Sequence, residues 1–169
     1  MSKEIKVLVV DDLSAQRALF GKALAKQGYQ VRGVSDGIAA IDMYEKWPAD
    51  IIILDVVMDP INGFDVLRKI KNHAQELKKD TRVIMCSIKS GKVDELWAKN
   101  QGADDYLVKP VLEDKLVQVV SHWVNVLTKK RKKEESRLSG QAEVESRDSK
   151  DGPQKAILDD VNDPQEKMP

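Results

Sequence analysis

Asp11 and Asp12 stand side by side after the apolar run VLVV, Asp55 follows IIIL, Ser87 follows VIMC and Lys109 follows YLV. Each of these polar side chains closes an apolar run. Two adjacent carboxylates at the rim of an apolar core cost stability unless something positive sits with them. If the fold gathers Asp11, Asp12 and Asp55 without a cation, they repel one another and one takes up a proton. With a hard divalent cation the same three form an all-oxygen site that keeps waters and leaves a place for phosphate.

The elements that must gather these residues are legible as an alternation. Strand-like runs cover 5–10, 30–35, 50–54, 82–87 and 105–108, and helical spacings cover roughly 14–27, 37–47, 63–78, 92–101 and 112–127. Ser14 is expected to cap the first helix, Leu13, Phe20 and Leu24 to face the core, and Gly28 to close the helix in a left-handed conformation. In the last helix Leu112, Leu116, Val120, Trp123 and Leu127 recur at spacings of three and four. Strands alternating with helices predict an α/β fold, a doubly wound parallel sheet covered on both faces. Such sheets bind ligands beyond the carboxyl ends of the strands, where strand order reverses. An order of 2-1-3-4-5 makes the first and third strands neighbours, so the three carboxylates converge at that point.

Composition narrows the classes. The chain has 169 residues, 41% hydrophobic and 33% charged, and its 28 basic residues equal its 28 acidic ones, so no net field draws it to nucleic acid or to an anionic membrane. No run is long enough to span a bilayer, and the six-residue run before the aspartates is too short for a signal-peptide core. The one cysteine, Cys86, excludes an internal disulfide and fits a reducing compartment, so a cytoplasmic protein without membrane insertion is expected. Residues 1–127 are expected to form the folded domain. Residues 128–169 begin TKKRKKEE, are poor in apolar side chains, and are expected to be a disordered tail with helix for a turn or two past Leu127.

The segments VVDD (9–12), LD (54–55) with Gly63 eight residues on, Ser87 and DYLVKP (105–110) occur in one order and at one set of separations. Over residues 4 to about 127 the sequence thereby resembles the receiver domains of bacterial two-component response regulators. The resemblance implies a flavodoxin-like five-stranded sheet with five helices. It implies Mg²⁺ (or Mn²⁺) held directly by Asp12, Asp55 and the backbone carbonyl of Val57, and through a water by Asp11. Asp55 would then be the phosphoacceptor, attacking phosphohistidine on a sensor histidine kinase or phosphotransfer protein. Lys109 and the Ser87 hydroxyl would meet the phosphoryl oxygens, and a cis Lys109–Pro110 bond would aim the lysine inward. Such a chain is no conventional enzyme, yet it catalyses its own phosphorylation and dephosphorylation. Ser87 and Tyr106 would act as the switch, reshaping the face of the fourth helix, fifth strand and fifth helix for a downstream protein.

The tail lacks a helix-turn-helix pattern, so output by protein contact is expected, with no output domain and no direct DNA binding. The stretch VDELWAKNQGADDYLVKPV is similar to single-domain receivers of chemosensory systems that control type IV pili or gliding and phototactic motility. Two other classes compete: an adaptor that keeps the fold without phosphorylation, and a flavodoxin-type FMN binder. The second would need a hydroxyl- or glycine-rich first loop, whereas this one reads DDLS.

Other residues carry plainer expectations. Cys86 and Trp47 are read as packing, His73 and His122 as solvated, and Trp97 with Val93 and Leu96 as an inward stripe of the fourth helix. The fifth helix carries Val117, Val119, Val124 and Val126 beyond its core stripe, which suggests either a cover supplied by the tail or, favoured here, a partner or homodimer face. The basic run Lys129–Lys133 suits a helix end. Against the family pattern, Asp59 stands where proline is usual and Pro60 follows, placing a fourth carboxylate near the metal. Ile88 replaces a small residue beside the approach to Asp55.

Overall fold

The fold is that of a computed structural model, which describes residues 4–148. The apolar runs form β1 (Lys6–Val10), β2 (Gln30–Val34), β3 (Ile51–Asp55), β4 (Arg82–Ser87) and β5 (Asp105–Val108). All pair in parallel, in the order β2-β1-β3-β4-β5. Between and after them run α1 (Ser14–Ala25), α2 (Gly37–Lys46), α3 (Gly63–Glu76), α4 (Lys92–Asn100) and α5 (Glu113–Asp148). The expected α/β architecture and strand order are met.

Successive strand side chains point to opposite faces, so the central strands must be apolar throughout to serve two cores. Leu8, Val10, Ile52, Leu54, Val83 and Met85 pack with α2, α3 and Ala98 of α4 on one face. Val7, Val9, Ile51, Ile53, Ile84 and Cys86 pack with α1 and α5 on the other. The register pairs Val10 with Leu54, Asp55 with Cys86, and Ser87 with Val108. One edge of the sheet therefore collects the residues that follow β1, end β3 and β4, and follow β5.

Several local expectations need correction. The N-cap of α1 is Leu13, with Ser14 already helical, because the Asp11 carboxylate accepts the Leu13 N–H at 2.9 Å and turns the chain one residue early. Leu13 and Leu112 sit at the entrances to helices, outside the sheet's footprint, and are 59% and 74% exposed rather than core. Gly28 does take the left-handed conformation, at φ +83°.

The larger correction concerns α4. Its one fully buried side chain is Ala98, flanked by half-buried Asp94 and Glu95. At 100° per residue that face lies nearly opposite the apolar stripe. Val93, Leu96 and Trp97 consequently face outward, at 79%, 61% and 47% exposure. Trp97 does touch Phe64 of α3 edge-on, ring centroids 4.2 Å apart.

In α5 the reverse holds. Val119 is buried, and Val117 and Val124 lean on the core, while exposed Glu113, Asp114, Lys115, Gln118, His122 and Asn125 keep much of the surface polar. Val117, Val119 and Val124 thus pack toward the interior, and Val126 stays half-exposed. Cys86 and Trp47 are core, as expected. His122 is exposed, but His73 is half-buried, edge-on to Tyr44.

The chain divides into two units between Lys129 and Lys130. Of the expected tail, residues 128–148 are helical. Lysine, arginine, glutamate, glutamine and alanine dominate there, and their helix propensity needs no apolar core to act. The remainder of that expectation, residues 149–169, lies outside the described residues. Among the described residues no helix is long and apolar enough to cross a membrane.

Candidate functional site

β1 delivers Asp11 and Asp12 to the sheet edge, and β3 delivers Asp55. One oxygen of each lies within 4.8 Å of the others. Asp11 and Asp55 are buried, whereas Asp12 is exposed. Lys109, following β5, reaches into the cluster: its Nζ donates to Asp11 Oδ2 at 2.7 Å and to Asp55 Oδ2 at 3.0 Å. The second oxygen of Asp55 accepts the Val57 N–H at 3.1 Å.

Burial pushes the Asp55 carboxyl above its usual range, while the Lys109 hydrogen bond and the Val57 N–H pull it partly back. For Lys109, burial opposes the charge, but the bonds to Asp11 and Asp55 outweigh it and raise the ammonium's pKa. Three carboxylates meet one ammonium, which reaches Asp11 and Asp55 but not Asp12. An all-oxygen donor set with carboxylates in excess fits Mg²⁺ or Mn²⁺.

Gly63 explains its own spacing. As the first residue of α3 it donates its N–H to the Val56 carbonyl at 2.9 Å. A Cβ there would run into the Asp55 carbonyl oxygen and lie 2.9 Å from Val56 Cα. Only glycine lets the helix start this close to the residue it supports. The Asn62 side chain caps α3 through the Phe64 and Asp65 N–H groups.

Ser87 is fully buried at the end of β4, and its Oγ accepts the Lys89 N–H at 3.1 Å. Tyr106, half-buried, donates its hydroxyl to the Lys89 carbonyl at 3.0 Å. The backbone of one residue, Lys89, therefore meets both side chains expected to switch. Lys109 N–H also donates to the Ser87 carbonyl at 2.8 Å, tying β5's exit to β4's. The Lys109–Pro110 bond is cis, as expected, and so is Asp59–Pro60. Asp59 is exposed and stands outside the three-carboxylate group, contrary to the expectation of a fourth acid at the metal. Burial lifts the Cys86 thiol to about 12, so it stays protonated and unreactive beneath the site.

Two residues were not anticipated. Arg17 bonds the carbonyls of Asp11 and Asp12, and a cation in the first turn of a helix, against the dipole, was the available signal. Lys89 acts through its backbone, which leaves no trace in residue type.

The family model of the response regulator receiver domain matches residues 7–121. This chain is a member of the response regulator receiver family. It is 31% identical over 116 residues to protein PilH of Pseudomonas aeruginosa, covering 69% of this chain and 94% of that one. It is 28% identical over 117 residues to chemotaxis protein CheY of Thermotoga maritima, with the same two coverages, 69% and 94%. Among solved structures, chemotaxis response regulator CheY4 of Vibrio cholerae superposes with a TM-score of 0.66 at 28% identity, over 72% of this chain and 99% of that one. Receiver domains take part in contacts with kinases and downstream targets and generally bind Mg²⁺, and the carboxylate cluster here has the donors for it.

Proposed function

We propose that this receiver is a phosphorylation-dependent protein switch whose phosphoacceptor is Asp55. The observation that carries the reading is Lys109 bridging Asp11 and Asp55 within a cluster of three carboxylates. Asp12, Asp55 and the Val57 carbonyl would hold Mg²⁺ or Mn²⁺ directly, and Asp11 through a water. The bound ion supplies charge neutralisation for the phosphoryl oxygens.

A carboxylate oxygen of Asp55 attacks the phosphorus of a phosphohistidine on a sensor histidine kinase or phosphotransfer protein. The P–N bond breaks, and the imidazole leaves with its electron pair and takes a proton. Lys109 stays charged and stabilises the phosphoryl oxygens, so the protein's work is positioning and electrostatics rather than proton transfer. Attack of water on the aspartyl phosphate returns Asp55 and phosphate. Ile88, 74% exposed beside Ser87, borders the approach. Ile88→Ala is expected to lose its phosphoryl group faster than wild type; an equal or slower rate would remove Ile88 from this account.

Once phosphate is present, the Ser87 hydroxyl turns from the Lys89 N–H to a phosphoryl oxygen. Lys89 then shifts, and Tyr106, bonded to its carbonyl, moves with it. The output surface is the α4–β5–α5 face, where Val93, Leu96, Trp97, Val108 and Leu112 are exposed. A cavity of about 310 Å³ lined by Tyr106, Val108, Pro110 and Leu112 adjoins it. The target is a protein, with no direct contact to DNA. The unit ending near residue 127 carries the chemistry. We place the protein in the cytoplasm, which a chain with a single cysteine and so no internal disulfide fits. Chemosensory control of motility is the pathway suggested by the relatives named chemotaxis proteins.

Pull-down with beryllofluoride-treated protein tests the switch. Target capture should rise with beryllofluoride and Mg²⁺ and vanish in Asp55→Asn. Full biological output from Asp55→Asn would instead favour the non-phosphorylated adaptor.

A further inference from the structure

The three carboxylates at the sheet edge are not held alike. Asp11 is fixed through both of its side-chain oxygens, by Lys109 and by the Leu13 N–H. Asp55 is fixed the same way, by Lys109 and the Val57 N–H. The Asp12 carboxylate is exposed and, among the described residues, accepts no protein hydrogen bond. The one side chain bonded to Asp12 is Arg17, and it bonds the main chain. Its Nη1 donates to the Asp12 carbonyl at 3.1 Å and to the Asp11 carbonyl at 2.8 Å.

We propose that Arg17 is a positioning residue for the divalent-cation site, fixing the direction of the Asp12 carboxylate by clamping the peptide groups on both sides of the Asp12 Cα. The proposal rests on the cation-binding reading of the carboxylate cluster and adds a residue to it.

The chemistry of the clamp is specific to arginine. One guanidinium nitrogen offers two hydrogens in a fixed plane, and here that nitrogen donates to both carbonyls. Lysine keeps the charge but presents a rotating point donor in place of a planar fork. The location also argues for a dedicated role. Arg17 is the fourth residue of α1, a helix with no acidic residue in its first turn and no side-chain cap. A cation there faces the positive end of the helix dipole, which disfavours it. The two carbonyls offset that cost, and what they bring is an ordered turn between β1 and α1. A carboxylate already aimed at the cluster loses less freedom when a cation arrives, so preorganisation appears as affinity. Partners that orient metal ligands in this way commonly change affinity by ten- to a hundredfold.

The test is Mg²⁺ titration calorimetry on the full chain, with wild type, Arg17→Lys and Arg17→Met, read beside metal-free melting and the backbone NMR signals of Asp12 and Leu13. Both substitutions should weaken Mg²⁺ binding by about tenfold or more. The Asp12 and Leu13 signals should broaden or shift in the metal-free variants. If Arg17 acts only as a charge, the pattern differs: Arg17→Met would bind Mg²⁺ more tightly and Arg17→Lys would match wild type. That pattern, or equal affinity in all three proteins whatever their melting temperatures, overturns the proposal. Should Arg17→Met fail to fold, Arg17→Lys decides alone. Wild type that binds no Mg²⁺ would remove the cation site itself and the proposal with it.

Discussion

Lys109→Met is expected to slow phosphoryl transfer to Asp55 by about a hundredfold or more and to destabilise the metal-free chain. The kinetic part follows from losing a preorganised cation aimed at developing phosphoryl charge, where removal of one such donor commonly costs 10²–10³. The stability part follows from burial. The Lys109, Asp11 and Asp55 side chains are only 15%, 3% and 7% exposed, and methionine leaves both carboxylates without their shared partner. Breaking a buried pair on one side costs about 3 kcal/mol. Asp55 already titrates above its ordinary 3.8, chiefly through burial, and loses the two contributions from Lys109 that pull it down. A folded state that binds this proton more tightly than the unfolded state loses stability as pH rises from 3.8 through the raised value. In Lys109→Met that loss should extend to higher pH. Urea unfolding in EDTA across a pH series measures it, and adding Asp55→Asn to Lys109→Met should restore much of the difference. Curves that superpose on wild type would mean the lysine is not bonded to the carboxylates.

Gly63→Ala is expected to destabilise the protein by about 2–3 kcal/mol and to impair phosphoryl acceptance. The sign is the informative part. In an ordinary exposed helical position, alanine is better than glycine by about 1 kcal/mol. Here the added carbon meets the Asp55 carbonyl oxygen, with Val56 Cα at 2.9 Å and Asp55 C at 3.0 Å. All three neighbours are main chain, so no side chain can rotate away. Either α3 backs off or the end of β3 moves, and β3 carries the phosphoacceptor. Denaturant unfolding reads the stability loss, and the phosphorylation rate reads the displacement. A stability gain would mean that α3 starts farther from Asp55 than described.

The sheet and its acidic edge were readable because their cause is local. Parallel strands buried on both faces must be continuously apolar, as IIIL and VLVV are, and a polar residue that closes such a run sits at the sheet edge. The positions of Asp11, Asp12, Asp55, Ser87 and Lys109 at that edge follow from the sequence pattern alone. The orientation of α4 could not. Val93, Leu96 and Trp97 have the spacing of a stripe, but periodicity gives no sign to the face, and the small Ala98 is what packs inward. In α5 the core reaches Val117, Val119 and Val124 beyond the expected stripe, since a helix lying along a sheet buries a broad arc rather than a narrow stripe. The helix runs to Asp148, well past the turn or two expected beyond Leu127, because the composition there favours helix on propensity alone despite few apolar residues. Arg17 carries only the faint signal of a cation in a first helical turn, and Lys89 acts through main-chain atoms, a role that no residue type announces.

The most direct measurement is site-resolved labelling of the full chain by radioactive acetyl phosphate, with Mg²⁺, with EDTA, and in Asp55→Asn. Mg²⁺-dependent label that maps to Asp55, with the base lability of an acyl phosphate, is the predicted result, and both EDTA and Asp55→Asn should abolish it. Equal label without a divalent cation, label that persists in Asp55→Asn, or no label on the wild-type chain from acetyl phosphate or any phosphohistidine donor would contradict the account.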